Sequence, residues 1–150
     1  MISAAVLNCS KLKVLRLTQS RIEDAEMRKI IKNICCHPVL ETLDLKHNRL
    51  RDKTGRALGK LIAVSKSLLE LDIEDNEIGV EGCGAIAHAL KKDSSLLQRL
   101  NISQNMVADQ GGILLCQALE VNKRLTHLKI AANGLGEAFG KSMSGEKLCR

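Results

Sequence analysis

Five stretches of the chain repeat one pattern of apolar and polar positions. In the third stretch, LLELDIEDNEI, apolar side chains occur at Leu68, Leu71, Ile73 and Ile78, with Asn76 between the last two. The pattern recurs in LKVLRLTQSRI (12–22), LETLDLKHNRL (40–50), LQRLNISQNMV (97–107) and LTHLKIAANGL (125–135). The units start at positions 12, 40, 68, 97 and 125, so successive units are 28 or 29 residues apart. Such a period predicts an array of stacked structural repeats.

Each unit is predicted to contain a short strand followed by a helix. In the second unit Leu43 and Leu45 alternate with Thr42 and Asp44, which is the pattern of a strand with one buried face. Further along each unit, apolar residues four positions apart lie on one face of a helix. These pairs are Ile30 and Ile34, Leu58 and Ile62, Ile86 and Leu90, and Leu115 and Leu119.

Two polar positions also recur between strand and helix. An Asn follows the strand in four units, at positions 48, 76, 105 and 133, and Ser20 takes its place in the first unit. Stacked amide side chains can satisfy backbone groups left free at a turn, so we expect an Asn ladder that is weaker at Ser20. Asp24, Asp52 and Asp109 stand where a helix needs an N-cap, whereas the third unit has Val80.

The combination L-x-x-L-x-L-x-x-N-x-L with a long helical half resembles the ribonuclease-inhibitor type of leucine-rich repeat, over roughly residues 2–148. The resemblance implies an α/β leucine-rich repeat solenoid: a curved horseshoe segment with a concave parallel sheet and convex helices. Residues 1–150 then form a single leucine-rich repeat domain. This class includes ribonuclease inhibitor and the axonemal, testis-expressed subunit of the nexin–dynein regulatory complex, and the second resemblance implies a place in a cilium or flagellum axoneme.

The two ends of the array depart from the pattern. Ile2 and Val6 have the spacing of the helical apolar pair but no strand before them, so residues 1–11 read as a partial repeat and we expect the chain to be part of a longer array. The last unit is degenerate, and its segment 136–150 carries three glycines, at positions 136, 140 and 145. Glycine lowers helix stability, so we expect residues 136–150 to be the least stable segment.

Composition narrows the classes of partner. The chain is 45% hydrophobic but has one aromatic residue, Phe139, so the core must be aliphatic. The net charge of +6 permits binding of nucleic acid, but stacking aromatics are missing and we expect no nucleic-acid partner. No segment approaches membrane-spanning length and the short apolar start lacks a basic region, so we expect a cytoplasmic protein with no membrane partner.

The sequence contains no catalytic or metal-binding pattern whose residues converge on one site. The six cysteines form no Cys-x-x-Cys pair, and the cluster Cys35-Cys36-His37 has adjacent side chains that diverge. Cys36 matches Val64 and Val121 in the repeat, so we expect it to pack inward, and we expect the cysteines generally to be reduced core residues. Glycines near the helix starts suggest close packing between turns and not a phosphate site. We therefore predict no enzyme activity, metal, cofactor or small-molecule substrate.

The exposed face of the strands is the remaining candidate site. Its third unit presents Glu70, Asp72 and Glu74, and Asp75 adjoins them, so four acids lie within six positions. Such charge runs are often only solvated, but like charges repel and we expect that nothing in the fold requires these acids. The candidate partner-binding residues are Arg16, Asp44, Lys46, Glu70, Asp72, Glu74, Asp75, Arg99, Asn101, His127 and Lys129.

Two functions fit these features. The first is a non-catalytic scaffold that binds a partner protein, with a basic segment, through its concave sheet, in a ciliary or cytoskeletal complex. The alternative is a regulator of GTP hydrolysis that resembles Ran GTPase-activating protein. That family commonly has an acidic C-terminal tail, whereas this chain ends in the basic GEKLCR.

Overall fold

Each sequence repeat folds as one strand and one helix in the computed structural model, which describes residues 9–143. The strands are β1 (Val14–Arg16), β2 (Thr42–Asp44), β3 (Glu70–Asp72), β4 (Arg99–Asn101) and β5 (His127–Lys129). The helices are α1 (Asp24–Ile34), α2 (Asp52–Val64), α3 (Val80–Leu90), α4 (Ala108–Val121) and α5 (Glu137–Met143). The predicted partial repeat lies almost wholly outside the described residues, and so do its markers Ile2 and Val6.

The strands form one parallel sheet in the order β1-β2-β3-β4-β5. The register follows the repeat, since Leu15, Leu43, Leu71, Leu100 and Leu128 pair across the sheet. Parallel strands lie about 4.8 Å apart, whereas packed helices need about 8–10 Å, so the stack must curve with the sheet on its inner side. The α/β leucine-rich repeat solenoid predicted from the sequence is confirmed.

The core is aliphatic and lies between the sheet and the helices. Leu43, Leu71 and Ile73 have no exposed surface. The predicted helical pairs are buried, with one exception: Leu119 is partly exposed beside a cavity of about 180 Å³. That cavity lies where the last repeat meets α4, and its wall includes Phe139 of α5.

The Asn ladder is present and holds the turns after the strands. Asn76 Nδ2 donates to the carbonyls of Leu45, Ile73 and Glu74, at 3.1, 3.0 and 3.2 Å, and its Oδ1 accepts from Leu50 N at 3.1 Å. Asn48, Asn105 and Asn133 bond in the same way. The ladder is weaker in the first unit as predicted, because the Ser20 side chain reaches only the Thr18 carbonyl, at 3.4 Å.

The assignment of Asp24, Asp52 and Asp109 as N-caps of their own helices is wrong. Asp24 and Asp52 are the first helical residues, and the preceding residues, Glu23 and Arg51, form no side-chain cap bond. The carboxylates instead bind the start of the next helix. Asp52 Oδ1 accepts from the backbone of Gly79 and Gly82, both at 2.8 Å, and Asp24 and Asp109 accept from Arg51 N and Gly136 N. These aspartates therefore connect neighbouring repeats.

Two further sequence expectations need correction. Cys36 and its equivalents Val64 and Val121 do not pack inward: all three are exposed. Position 64 lies two residues past the buried Ile62, about 200° around the helix, so it points away from the sheet. The second expectation was that the cysteines generally are core residues. Of the five cysteines in the described range, Cys83 and Cys116 are buried, whereas Cys9 and Cys36 are exposed.

The glycines near the helix starts are explained by close packing, as predicted. A Cβ at Gly82 would lie 2.8 Å from Asp52 Oδ1, and one at Gly111 would lie 2.7 Å from Val107 Cγ1. Gly136, however, does not interrupt a helix. It lies just before α5, and its amide donates to Asp109.

Candidate protein-binding surface

The exposed side of the sheet, which we call the sheet face, carries aligned rows of side chains. One row crosses the strands as Val14, Thr42, Glu70, Arg99 and His127. The next row is Arg16, Asp44, Asp72, Asn101 and Lys129. A third row follows the strand ends and includes Lys46 and Glu74. The repeat therefore brings the predicted acids together near the centre of the sheet, on β2, on β3 and in the turn after β3.

Lys46 partly neutralises this acidic centre. Its Nζ lies 3.6 Å from carboxylate oxygens of both Asp44 and Asp72. The two carboxylates raise the pKa of Lys46 above its usual 10.5, with Asp72 the larger influence. The ammonium group therefore belongs to a three-member cluster that joins two repeats.

Asp44, Asp72 and Asn101 share a structural role that the sequence analysis did not recognise. Each accepts a hydrogen bond from the backbone amide two residues later: Asp44 from Lys46 at 3.1 Å, Asp72 from Glu74 at 3.1 Å, and Asn101 from Ser103 at 3.2 Å. This is the local bond by which Asp and Asn stabilise a turn. The expectation that nothing in the fold requires the acids is therefore wrong for Asp72. Asp44 and Asn101, both 9% exposed, are also largely buried.

Among the five acids of the sheet face, Glu74 is the one without a cationic partner in the described range. Its two carboxylate oxygens accept from Asn101 Nδ2 at 2.9 Å and from Gln104 Nε2 at 3.0 Å. Both donors are neutral amides, and within residues 9–143 no cation forms an ion pair with Glu74. Two neutral donors orient the carboxylate without cancelling its charge. Glu70, by contrast, lies 3.4 Å from Arg99 Nε on the next strand.

A fourth row lies just beyond the strand ends, in a left-handed backbone conformation. It includes His47, Asp75 and Gln104, with φ values of 55°, 53° and 55°. His47 Nδ1 lies 2.8 Å from Asp75 Oδ2 in the next repeat. His47 and Gln104 were missing from the predicted site. The 28-residue spacing that aligns them with Asp75 was the signal that could have identified them.

The remaining predicted residues lie at the borders of the sheet face. Arg16 is exposed on the first strand, and His127 and Lys129 are exposed on the last. His127 Nδ1 lies 2.9 Å from its neighbour Thr126 Oγ1. Arg16 lies beside Asp44 in the sheet register, whereas His127 and Lys129 lie two strands away from the acids of β3. The acidic centre has five carboxylates against the cations Lys46 and Arg99 and the imidazole of His47.

The described residues contain no grouping of three or more His, Cys, Asp or Glu side chains that could hold a metal ion. In the same range, none of the helices combines the length and the apolar character needed to cross a bilayer.

The fold and the repeat pattern define the chain as a leucine-rich repeat protein of the ribonuclease-inhibitor type. The family described as "Leucine Rich repeat" matches residues 36–59, 64–87 and 93–116. The chain is homologous to dynein regulatory complex subunit 5 of Macaca fascicularis, with 39% identity over 96 residues, which is 64% of this chain and 19% of the relative. It is also 26% identical to ribonuclease inhibitor of Sus scrofa over 130 residues, which is 85% of this chain and 28% of the relative.

The chain thus spans about a fifth of the length of the dynein regulatory complex relative. Among solved structures, it resembles "Leiomodin-1 Actin-Binding Site 2 (ABS2)" with a TM-score of 0.74 at 15% identity, covering 95% of this chain and 90% of that one. At such low identity the likeness supports the fold alone.

Proposed function

We propose that the chain is a non-catalytic scaffold module that binds a basic segment of a partner protein on its sheet face. The observation that carries the proposal is the state of Glu74, a carboxylate oriented by two neutral amides with no cation paired to it in the described range. A Lys or Arg side chain that reaches it gains a charge-assisted hydrogen bond without first displacing an ion-pair partner. Curved repeat proteins generally use this inner surface for binding.

The neighbours of Glu74 favour a partner with more than one basic residue. Glu70 has a carboxylate that is already paired with the exposed Arg99, and exposed ion pairs are weak enough to exchange. Asp75 is likewise exposed, and its carboxylate lies 2.8 Å from His47 Nδ1. A basic segment that crosses the strands could engage Glu74 first and then compete for Glu70 and Asp75.

We further propose that this scaffold works in a cilium or flagellum axoneme. The proposal is supported by the similarity to a protein whose name places it in a dynein regulatory complex. It is tested by expressing the tagged chain in ciliated cells and imaging it together with an axonemal marker. Enrichment along the axoneme is expected, and a diffuse distribution outside the cilium would contradict it.

The sheet-face proposal is tested with a variant that removes charge and keeps shape, Glu70→Gln with Glu74→Gln. Binding of a fluorescently labelled Arg- and Lys-rich peptide is measured by anisotropy at two salt concentrations. The parent chain is expected to bind with a strong salt dependence, and the variant is expected to lose about tenfold or more in affinity. Asp72 is left unchanged because its carboxylate supports the turn.

The matched control is Glu26→Gln with Glu81→Gln, which removes the same charge from exposed positions on α1 and α3. Its affinity for the peptide should remain close to that of the parent. Equal losses in the two variants would mean that the peptide responds only to overall charge. In that case the sheet face is not the binding surface.

A further inference from the structure

The excess positive charge of the chain is concentrated on one edge of the solenoid. We call this the helix-to-strand edge: the loops at 9–13, 35–41, 65–69, 91–98 and 122–126, which lead into the five strands. These loops hold seven basic residues, Lys11, Lys13, Lys66, Lys91, Lys92, Lys123 and Arg124, against Glu41 and Asp93. In the loops on the opposite edge, four basic residues face four acids. The asymmetry identifies the helix-to-strand edge as a distinct electrostatic surface.

The loops of this edge are fixed to the neighbouring repeats by hydrogen bonds. Ser67 Oγ donates to the His37 carbonyl at 3.1 Å, and Ser94 Oγ donates to the Ala63 carbonyl at 2.9 Å. Asn122 Nδ2 donates to the Leu90 carbonyl at 2.7 Å. The backbone carrying the basic side chains is therefore organised before any partner arrives, which lowers the entropy lost on binding.

Most of these cations have no carboxylate partner of their own. Lys13 pairs with Glu41 at 2.9 Å, and Lys123 Nζ reaches the Glu120 carbonyl at 3.4 Å. Between residues 9 and 143, no carboxylate forms an ion pair with Lys66, Lys91 or Lys92. Compensation of the helix dipoles accounts for part of this charge, since Lys91 is the C-cap residue of α3 and Lys66 lies two residues past α2. It does not account for Lys11 and Lys13, which precede β1 and follow no helix within residues 9–143.

Two exposed apolar side chains adjoin the helix-to-strand edge, at the ends of the helices that precede it. Val64 and Val121 end α2 and α4 at equivalent repeat positions, and they are 50% and 56% exposed. Lys92 holds the same repeat position between them. An edge that alternates valine and lysine fits a ligand with both apolar and acidic groups.

We propose that the helix-to-strand edge binds an acidic segment of a partner protein that carries apolar side chains between its carboxylates. A nucleic acid fits less well, because this edge has no aromatic side chain on which bases could stack. A membrane surface also fits less well, since the exposed apolar groups are two valines and not the large side chains that insert into lipid. The edge is separate from the sheet face and takes a ligand of the opposite charge.

The test uses a fluorescently labelled synthetic peptide of repeated Glu-Glu-Leu and measures its affinity by anisotropy. The edge variant is Lys66→Glu, Lys92→Glu and Lys123→Glu together. The charge-matched control is Lys29→Glu, Lys53→Glu and Lys60→Glu, at exposed positions of α1 and α2. The edge variant is expected to bind about tenfold or more weakly than the parent, and the control within about threefold.

Two further comparisons define the ligand class. Replacing Val64 and Val121 by Ser should weaken binding of the Glu-Glu-Leu peptide but not of an all-Glu peptide of equal length. A single-stranded oligonucleotide and vesicles rich in phosphatidylserine are measured in parallel and should bind more weakly than the Glu-Glu-Leu peptide.

Equal losses in the edge and control variants, or tighter binding of DNA or vesicles, would overturn the proposal. Circular dichroism melting curves establish that each variant is folded. The sheet-face variant Glu70→Gln with Glu74→Gln should still bind the acidic peptide. A negative result for the proposed edge site can therefore be distinguished from a negative result for the proposed sheet-face site.

Discussion

The ammonium group of Lys46 lies 3.6 Å from the carboxylate of Asp72, which is 26 residues away in the sequence and on the next repeat. The contact shows that charge on the sheet face joins neighbouring repeats as well as facing solvent. Because Asp72 also binds its own turn, Lys46 holds a carboxylate whose orientation is already fixed. In the acidic run at β3, Asp72 therefore supports the turn and pairs with Lys46, whereas Glu74 has no cationic partner within residues 9–143.

Replacing Lys46 by Met tests this cluster. The change keeps the length of the side chain and leaves Asp44 and Asp72 without their shared cation. The free energy of unfolding, from urea denaturation at neutral pH, should fall by about 0.5–1 kcal/mol. Lys60→Met, at an exposed position of α2, should change it by less than about 0.5 kcal/mol.

The difference in unfolding free energy between the parent and Lys46→Met should depend on pH. The pKa of Lys46 is raised, so the stability that its charge contributes is complete below pH 10.5. That contribution is lost as the pH rises through the pKa of the folded state. The difference in unfolding free energy between the parent and Lys46→Met should therefore shrink above pH 10.5. A difference that grows there would contradict the ion-pair explanation.

The Asn ladder is tested by two single substitutions, one that removes a ladder Asn and one that introduces an Asn in the first unit. Asn76→Ser should remove the three hydrogen bonds that Asn76 Nδ2 donates to the carbonyls of Leu45, Ile73 and Glu74, and lower the free energy of unfolding by about 1–3 kcal/mol. Ser20→Asn should extend the ladder to the first repeat and raise the free energy of unfolding by about 0.5–1 kcal/mol. Chemical denaturation of both single variants measures the two effects. Loss of stability in Ser20→Asn would show that the first turn cannot accept the ladder.

The sequence predicts the repeat, the strands and the buried helical pairs because these depend on apolar periodicity. Leu43 and Leu71 recur at one spacing, and stacking then sets the sheet register. The hydrogen bonds between polar groups of different repeats do not follow from the sequence pattern. Asp52 looks like a cap for its own helix, and only the packed structure places its carboxylate against the amides of Gly79 and Gly82.

For the candidate site, the sequence predicts which face of the strands carries the acids but not how those acids are bonded. Period two along a strand correctly places Glu70 and Asp72 on one face, because that follows from backbone geometry alone. It does not reveal which acid is already bonded. The amides that hold Glu74 come from Asn101 and Gln104 on the next repeat, so their role depends on side-chain conformations across the sheet.

Cysteine labelling tests the corrected burial assignments. Cys83 has no exposed surface, and burial raises its pKa to about 12, so it remains a protonated thiol at neutral pH. Iodoacetamide at neutral pH should modify the exposed Cys9 and Cys36 in the folded chain but modify Cys83 only after denaturation. Mass spectrometry of proteolytic fragments measures each site. Modification of Cys83 at the rate of Cys36 would contradict the packing of α3 against α4.

The last prediction compares two helical glycines whose surroundings differ. A Cβ at Gly55 of α2 would lie 2.6 Å from the Cα of Gly82 and 3.0 Å from its carbonyl carbon, so backbone would have to move. A Cβ at Gly140 of α5 would have no neighbour within 4 Å. Alanine favours a helix over glycine by up to about 1 kcal/mol, and this preference acts at both positions. The clash should outweigh it at Gly55, where α2 packs closely against α3.

We therefore expect Gly55→Ala to lower the free energy of unfolding by about 1–3 kcal/mol and Gly140→Ala to raise the local stability of α5. Urea denaturation measures the first effect. Hydrogen exchange of the α5 amides measures the second, because a terminal helix can open without global unfolding. Increased protection in Gly140→Ala would support the expectation that glycine lowers the stability of the last repeat. Unchanged protection would leave the incomplete packing around the cavity beside Phe139 as the better explanation, since that packing is the same in both proteins.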